Sequence, residues 1–141
     1  RYRGPPMKLD AVPAIGQPHA AFSGERLRVR VTGLKLEAEV GVYEHEYGRA
    51  QPLSVTLDAE VDDTALRPEG ALADAVNYAA LAELIRQIAH SRHHELLEDL
   101  AQAVLDAAFA DPRITRMSLH IDKLTALEDA ESVGVSLERW R

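Results

Sequence analysis

The sequence predicts an α+β domain in which an antiparallel four-stranded sheet is covered on one face by two helices. Four segments alternate apolar and polar residues with the period of a half-buried strand. Two consecutive segments between the second and third of these strands repeat their apolar residues with the period of an amphipathic helix. The predicted order is therefore ββααββ, which favours an antiparallel sheet because a parallel sheet needs a crossover connection between its strands.

The first strand changes its pattern halfway along. Its apolar residues occupy odd positions over residues 27–31 and even positions over residues 34–40. One face can stay buried only if an extra residue separates the two halves, which predicts a β-bulge at Gly33. A second strand is predicted over residues 53–61, and the segment GVYEHEYGRAQP between the two strands turns the chain.

Two amphipathic helices are predicted after the second strand. Apolar residues at 81, 84, 85 and 88 have helical spacing, Asn77 or Asp74 can cap the start of this helix, and the helix should end near His90. A second helix is predicted over residues 97–108. It stops before an Asp-Pro pair because proline disfavours helical geometry in the residue that precedes it.

Strands three and four are predicted where apolar residues alternate over residues 117–121 and 133–137. Long strands leave unpaired backbone groups at the edges of an open sheet, and such edges invite pairing with another chain. We therefore expect a closed homo-oligomer in which sheet edges join to form an oligomeric barrel.

Composition and charge restrict the class of protein. The 141 residues suit one domain, and Lys+Arg 16 against Asp+Glu 23 gives a net charge of −7, so we expect no nucleic acid partner. The chain has no cysteine for disulfides or thiolate metal sites, and no apolar run approaches the ~20 residues of a membrane-spanning helix. We expect a soluble cytoplasmic protein without a membrane partner. Residues 1–24, with four of the seven prolines, should form a flexible tail before a single domain over residues 25–141.

Common catalytic motifs are missing, so candidate residues are identified by their positions. Lys123 continues the odd-numbered apolar row of strand three, where an amine partly removed from water can act as a general acid or base. A lysine at a strand end can equally reach solvent or pair with Asp122 or Glu128. Glu98, in the first turn of helix two, either favours the helix dipole or accepts two parallel N–H bonds from a guanidine-like ring edge.

Three histidines, His90, His93 and His94, cluster at the junction of the two helices. The spacing supplies no third ligand that would fix a metal, so we interpret the cluster as a solvated helix junction and expect no metal. Tyr78, before helix one, and Glu46, in the turn after strand one, are unremarkable by themselves. In isolation they predict a packed tyrosine and an exposed acid.

Several short segments taken together resemble the dihydroneopterin aldolase family, whose members have the tunnelling fold. The segments are GVYEHE with a following Gln51, LADAVNY before helix one, LLEDLAQAV in helix two, and IDKLTAL running into SVGVSLER. The resemblance extends over residues 27–139, and the order and spacing of the segments carry it rather than any single one.

The resemblance implies a retro-aldol cleavage of the pterin 7,8-dihydroneopterin, without metal or cofactor, in a homotetramer or homo-octamer. It implies proton transfer by Lys123, help from Tyr78 of an adjacent subunit, and orientation of the substrate side chain or a water by Glu46. The pterin-binding residues that it implies are Glu98 and the backbone groups of Leu97 and Val76.

Two related activities and one inactive state are open alternatives. The segment after Lys123 lacks the proline-rich loop common in the aldolases and is more similar to the dihydroneopterin triphosphate 2′-epimerases. Epimerisation is the same retro-aldol step run back after the fragment rotates, so the types of active-site residue do not separate the two activities. The acidic loop and the net charge of −7 disfavour a triphosphate and favour the aldolase. The third alternative is a non-catalytic ring that keeps the fold as a binding scaffold.

Overall fold

The structure, a computed structural model, describes residues 24–62 and 76–141. Residues 1–23 of the tail predicted over residues 1–24, residues 63–75 between β2 and α1, and with them the candidate cap Asp74, lie outside the described residues. The elements follow the predicted ββααββ order, with a short 3-10 turn at Glu44–Glu46 between the first two strands: β1 (Leu27–Ala38), β2 (Gln51–Val61), α1 (Tyr78–Ser91), α2 (Leu97–Ala108), β3 (Ile114–Lys123) and β4 (Val133–Trp140).

The four strands form one antiparallel sheet in the order β1-β2-β3-β4. The predicted bulge is confirmed, because the register of β1 against β2 shifts between Val31 and Leu34. Gly33 lies within this shift at φ +65°, a conformation that favours glycine, and its amide donates to Thr56 Oγ1 at 3.0 Å. The bulge keeps both halves of β1 directed toward the same core.

The helices cover one face of the sheet and bury the apolar rows that the sequence predicts. α1 packs on β1, and α2 packs on β3 and β4. The described core includes the inward residues of β2 and β3 together with one stripe of each helix, among them Leu57, Leu119, Ile85 and Val104. This confirms the predicted α+β fold class.

The helix ends agree with the predicted signals. The Asn77 side chain accepts from the amides of Ala79 and Ala80, which caps α1, and the helix ends at Ser91, one residue beyond the predicted His90. At the start of α2, Asp99 Oδ2 accepts from the Leu96 amide at 3.3 Å. The connection between the helices, residues 92–96, is short, so α2 begins close to the end of α1.

Two ends of the helical layer have different surroundings. The end of β1, the start of β2, the end of β3 and the start of α2 meet around one cleft. The start of α1 lies away from it, because 14 residues of helix at about 1.5 Å per residue separate Tyr78 from Ser91 by about 20 Å. Within residues 24–62 and 76–141, no helix is long and apolar enough to cross a membrane.

Candidate active site

A cleft of about 680 Å³ opens at the end of the sheet where β1 and β3 finish. Its walls come from four parts of the chain: residues 41–52, 95–98, 123–127 and 133–135. Glu46, Glu98, Leu97 and Lys123 all line this cleft. Four of the six site residues predicted from the sequence are thus brought together within one chain.

Glu46 and Lys123 form an ion pair inside the cleft. Lys123 Nζ donates to Glu46 Oε2 at 2.8 Å, and the two side chains are only 16% and 10% exposed. The exposed acid predicted for Glu46 in isolation is therefore wrong. The 3-10 turn directs the Glu46 side chain inward, so its carboxylate is buried at the cleft and does not lie in solvent.

Two further donors complete the environment of Glu46. Gln51 Nε2 donates to Glu46 Oε2 at 2.8 Å and also to the Val40 carbonyl at 2.6 Å, while the Tyr43 amide donates to Glu46 Oε1 at 3.3 Å. Burial by itself raises the pKa of Glu46, but the hydrogen bonds from Lys123, Gln51 and Tyr43 outweigh it and lower the pKa to about 2. At neutral pH Glu46 is a carboxylate that accepts hydrogen bonds and has no proton to give.

Gly41 forms the floor beneath this carboxylate. It has φ +131°, and a Cβ at this position would overlap the carboxylate group of Glu46. Both the backbone conformation and the close approach require glycine here. Sequence reasoning quoted the GVYEHE segment but did not identify Gly41, although a glycine just after a strand is a signal of close backbone approach.

Lys123 occupies the last position of β3, where the odd-numbered row of buried residues ends. The prediction that it continues this row is confirmed, since its side chain is half-buried and is directed into the cleft. The alternative pairing with Asp122 or Glu128 is not found, because the ion pair is made with Glu46. The partner lies 77 positions away in the sequence, so no local pattern indicates it.

The start of α2 contributes a carboxylate and backbone amides to the cleft. Glu98 is exposed at the cleft within the first turn of the helix, as predicted, and it forms no ion pair with the described residues. Leu97, beside it, is buried. The Asp99 and Leu100 amides donate to the Leu96 carbonyl, so the amides of Leu97 and Glu98 are the donors that this turn offers beside the Glu98 carboxylate.

Tyr78 and Val76 do not reach the cleft of their own chain. Tyr78 is 66% exposed at the start of α1, so the packed tyrosine predicted in isolation is wrong. Val76 is buried near the same helix start. The site residues predicted from the sequence are thus divided between the two ends of the helical layer.

The solvated helix junction predicted for the histidines is wrong for two of them. His94 is fully buried and His93 is half-buried, while His90 is exposed. The junction packs against the end of β1, where Val40 pairs with His94 in an isolated β-bridge. Within the part of the chain that the structure describes, no group of three or more His, Asp or Glu residues could hold a metal ion.

The loop after β3 is acidic in sequence, but its acidic residues do not line the cleft. Only its uncharged residues 125–127 line the cleft, whereas the acidic residues at 128, 129 and 131 do not. Arg49 and His45 contribute basic side chains to the cleft lining. The acidic residues of the loop therefore lie outside the cleft lining, whose own carboxylates are those of Glu46, Glu95 and Glu98.

Comparisons with known proteins show which family the chain resembles. The family model for dihydroneopterin aldolase matches residues 29–138 of the chain. A dihydroneopterin triphosphate 2′-epimerase of Escherichia coli strain K12 is 31% identical over 113 residues, which are 80% of this chain and 93% of that protein. A dihydroneopterin aldolase of Methylorubrum extorquens is 35% identical over 103 residues, which are 70% of this chain and 77% of that protein.

A solved structure shares the fold. The crystal structure of E. coli dihydroneopterin aldolase in complex with neopterin superposes with a TM-score of 0.73 and 25% identity, covering 79% of this chain and 97% of that one. The family match over residues 29–138 includes both helices, β2 and β3, and most of β1 and β4. The predicted family resemblance and fold class are both confirmed.

Proposed function

The chain belongs to the dihydroneopterin aldolase family, whose members act on dihydroneopterins, and on that premise we propose that it cleaves 7,8-dihydroneopterin. The products are 6-hydroxymethyl-7,8-dihydropterin and glycolaldehyde, as a cytoplasmic step of folate biosynthesis. The observation that carries this proposal is the buried Glu46–Lys123 pair in the same cleft as the unpaired Glu98.

The reaction needs three operations that side chains of this type perform. The proton of the side-chain 2′-hydroxyl is removed, the C1′–C2′ bond breaks to release glycolaldehyde, and the carbon left on the ring is reprotonated. The electron pair from the broken bond is stored on the protonatable ring imine. The chemistry therefore requires positioned acids and bases, each worth about 10²–10⁴-fold in rate.

Lys123 carries the proton transfer in this proposal. Its amino group is held by Glu46 in a cleft that partly excludes water; as a neutral amine it takes the 2′-hydroxyl proton, and as the resulting ammonium it returns a proton to the carbon left on the ring. Glu46 remains ionised because its pKa is about 2, so it orients Lys123 and the substrate hydroxyl groups rather than donating a proton. Gln51 in turn fixes the Glu46 carboxylate.

Glu98 and the first turn of α2 bind the pterin ring. The amino-pyrimidinone edge of a pterin presents two parallel N–H donors, which match the two oxygens of one carboxylate. Glu98 is free of other partners among the described residues, and the Leu97 backbone lies beside it. This geometry directs the ring toward α2 and its hydroxylated side chain toward Lys123.

Tyr78 and the Val76 backbone complete the site from a neighbouring subunit. Both lie about 20 Å from the cleft end of their own α1, too far to contribute to the cleft of the same chain. The free edges of β1 and β4 allow copies to join edge to edge. We propose a homotetramer or a homo-octamer in which each cleft receives Tyr78 from the next copy.

Dihydroneopterin triphosphate 2′-epimerisation is the second candidate, favoured by one basic side chain of the cleft lining, Arg49. Arg49 lines the cleft and forms no ion pair with the described residues, and His45 lines it as well. A guanidinium group without a partner suits a phosphate. The triphosphate epimerase of E. coli, at 31% identity, gives this alternative a relative of that activity.

Incubation with dihydroneopterin and with its triphosphate, in separate reactions, tests both candidates. Glycolaldehyde release from dihydroneopterin supports the aldolase, and the 2′-epimer of the triphosphate without glycolaldehyde supports the epimerase. Arg49→Ala should lower kcat/KM for the triphosphate about tenfold and leave the unphosphorylated substrate within about twofold. Pterin binding without turnover of either substrate would instead identify a non-catalytic ring.

A further inference from the structure

The histidines between α1 and α2 have no part in the proposed chemistry, yet they contact the floor of the cleft. We propose that His93 is a positioning residue, which holds the Glu46–Lys123 pair at a fixed place relative to the start of α2. The catalytic meaning of this inference rests on the proposed function. The inference itself follows from five contacts between segments that are distant in sequence.

The first two contacts hold Gly41 from both sides. His93 Nε2 lies 2.7 Å from the Gly41 carbonyl, to which it donates, and the Gly41 amide donates to the His94 carbonyl at 3.0 Å. The His94 amide donates in turn to the Glu39 carbonyl at 3.1 Å. The chain that follows β1 is therefore clamped to the connection between the helices.

Gly41 transmits this clamp to the acid–base pair. The carboxylate of Glu46 lies so close to Gly41 that no side chain fits between them. The Val40 carbonyl, next to Gly41, accepts from Gln51, which also donates to Glu46. A shift of residues 40–41 would therefore move the floor and one donor of the Glu46 carboxylate together.

The other contacts connect His93 to the pterin-binding end of the cleft. The Tyr47 ring stacks on the His93 ring with 4.0 Å between centroids, and the Tyr47 hydroxyl donates to Glu95 Oε1 at 3.0 Å. Glu95 precedes the first turn of α2, where Glu98 lies. His93 thus sits at the joint between the segment that carries Glu46 and the helix that carries Glu98.

His93 acts through other residues and not on substrate. It is absent from the lining of the cleft, whereas Gly41, Glu46 and Glu95 belong to it. Its Nδ1 is buried and has no hydrogen-bond partner among the described atoms. The ring therefore serves as one Nε2 donor and one stacking surface, which are the properties of a support.

His90 provides a matched control. Its Nε2 lies 2.8 Å from the Glu37 carbonyl, so it joins the last turn of α1 to the end of β1 through the same type of bond. Glu37 is exposed within β1 and does not line the cleft. Loss of either bond loosens α1 from β1, but only the His93 bond reaches the floor beneath Glu46.

The test compares His93→Phe, His93→Gln and His90→Phe with the wild type. Phenylalanine keeps the stacking surface and removes the donor, while glutamine restores a side-chain donor. For each variant we would measure kcat and KM for dihydroneopterin, the melting temperature, and the acylation rate of Lys123 by mass spectrometry. Lys35, exposed on β1, is the internal reference for acylation.

We expect His93→Phe to lower kcat by about 10- to 100-fold with a smaller change in KM, because a small displacement of reacting groups has effects of this size. His93→Gln should regain most of kcat, and His90→Phe should stay within about twofold of the wild type at a similar loss of melting temperature. Acylation of Lys123 relative to Lys35 should increase in His93→Phe alone.

Equal kcat values for the two phenylalanine variants would overturn the inference. An unchanged Lys123 to Lys35 ratio in His93→Phe would overturn it as well, even in a protein that turns over no pterin. If the wild type is inactive toward both substrates, the proposed function fails, and the acylation ratio by itself decides whether His93 positions the pair.

Discussion

The two ends of the helical layer of this protein are built in different ways. At the cleft end, Glu46 is buried and receives hydrogen bonds from Lys123, Gln51 and the Tyr43 backbone. At the other end, Tyr78 is 66% exposed at the start of α1. At the cleft end, all of these partners of the buried carboxylate belong to one chain, whereas the start of α1 directs an aromatic side chain outward.

The difference shows which part of the site a single chain can preorganise. A buried carboxylate is costly unless charged and neutral donors surround it, so the fold has to provide these partners internally. An exposed tyrosine has no such requirement and adds little to the stability of its own domain. It is available to a second copy, which can bury both its ring and its hydroxyl group.

The largest effect is expected at the cleft end, where Glu46 and Lys123 pair. Lys123→Ala should lower kcat by ~10²–10⁴-fold, with a much smaller loss of substrate affinity, because the interaction belongs to the transition state. Stability at pH 7 should also fall, by about 1–3 kcal/mol, because Glu46 loses its charged partner and stays buried. Steady-state kinetics of glycolaldehyde release, with circular dichroism to verify folding, measure both changes. Lys35→Ala, on the exposed face of β1, is the control, and near wild-type turnover by Lys123→Ala would remove Lys123 from the mechanism.

The next effect concerns binding at the start of α2. Glu98→Gln replaces one acceptor with a donor that faces the donor-rich pterin edge, and it should weaken pterin affinity by on the order of 2–4 kcal/mol. Titration calorimetry with a non-cleavable pterin measures this loss. Glu83→Gln removes an exposed helix carboxylate away from the cleft and should leave affinity unchanged. An unchanged affinity in Glu98→Gln would mean that this residue serves only the helix dipole.

Subunit mixing tests whether Tyr78, at the start of α1, completes the cleft of a neighbouring subunit. Tyr78→Phe and Lys123→Ala should each be nearly inactive, whereas mixed oligomers of the two should recover about a quarter of the wild-type activity, since random mixing leaves that share of interface sites with both residues intact. The measurement is specific activity after joint denaturation and refolding. Light scattering on each preparation verifies assembly. A mixture no more active than its components, or an active monomer, would contradict a shared site.

The smallest effect is a dependence of stability on pH. The pKa of Glu46 is lowered from 4.5 to about 2, so its contribution to stability is complete above about pH 4.5 and is lost as pH falls toward 2. Glu46→Gln should flatten this part of the curve of unfolding free energy against pH. Asp111 also has a pKa lowered from 3.8, caused by its hydrogen bonds with Arg113, so Asp111→Asn should flatten the curve below about pH 3.8 without changing pterin binding. An acid limb that is identical in wild type and Glu46→Gln would show that the pair is not held tightly in solution.

Much of the fold could be predicted because strand and helix patterns are local. The change of parity in β1 placed the bulge at Gly33, short segments gave Asn77 as one of two candidate caps, and the end of α2 was also predicted from a short segment. The environments of Glu46 and His94 could not be predicted in this way. Residue type gives a strong expectation of exposure for Glu and none either way for His, so only long-range packing decides both environments.

The sequence by itself determined the order of the elements, the face of each that is buried, and the family, because these depend on periodicity and on short segments in a fixed order. The tertiary structure alone decided that Lys123 pairs with Glu46 and that His93 supports Gly41, since 77 and 52 positions separate these partners in the chain. It also decided that Tyr78 faces away from the cleft. Contacts of this kind arise when distant segments meet at a sheet end, and no local pattern of residues records which segments will meet.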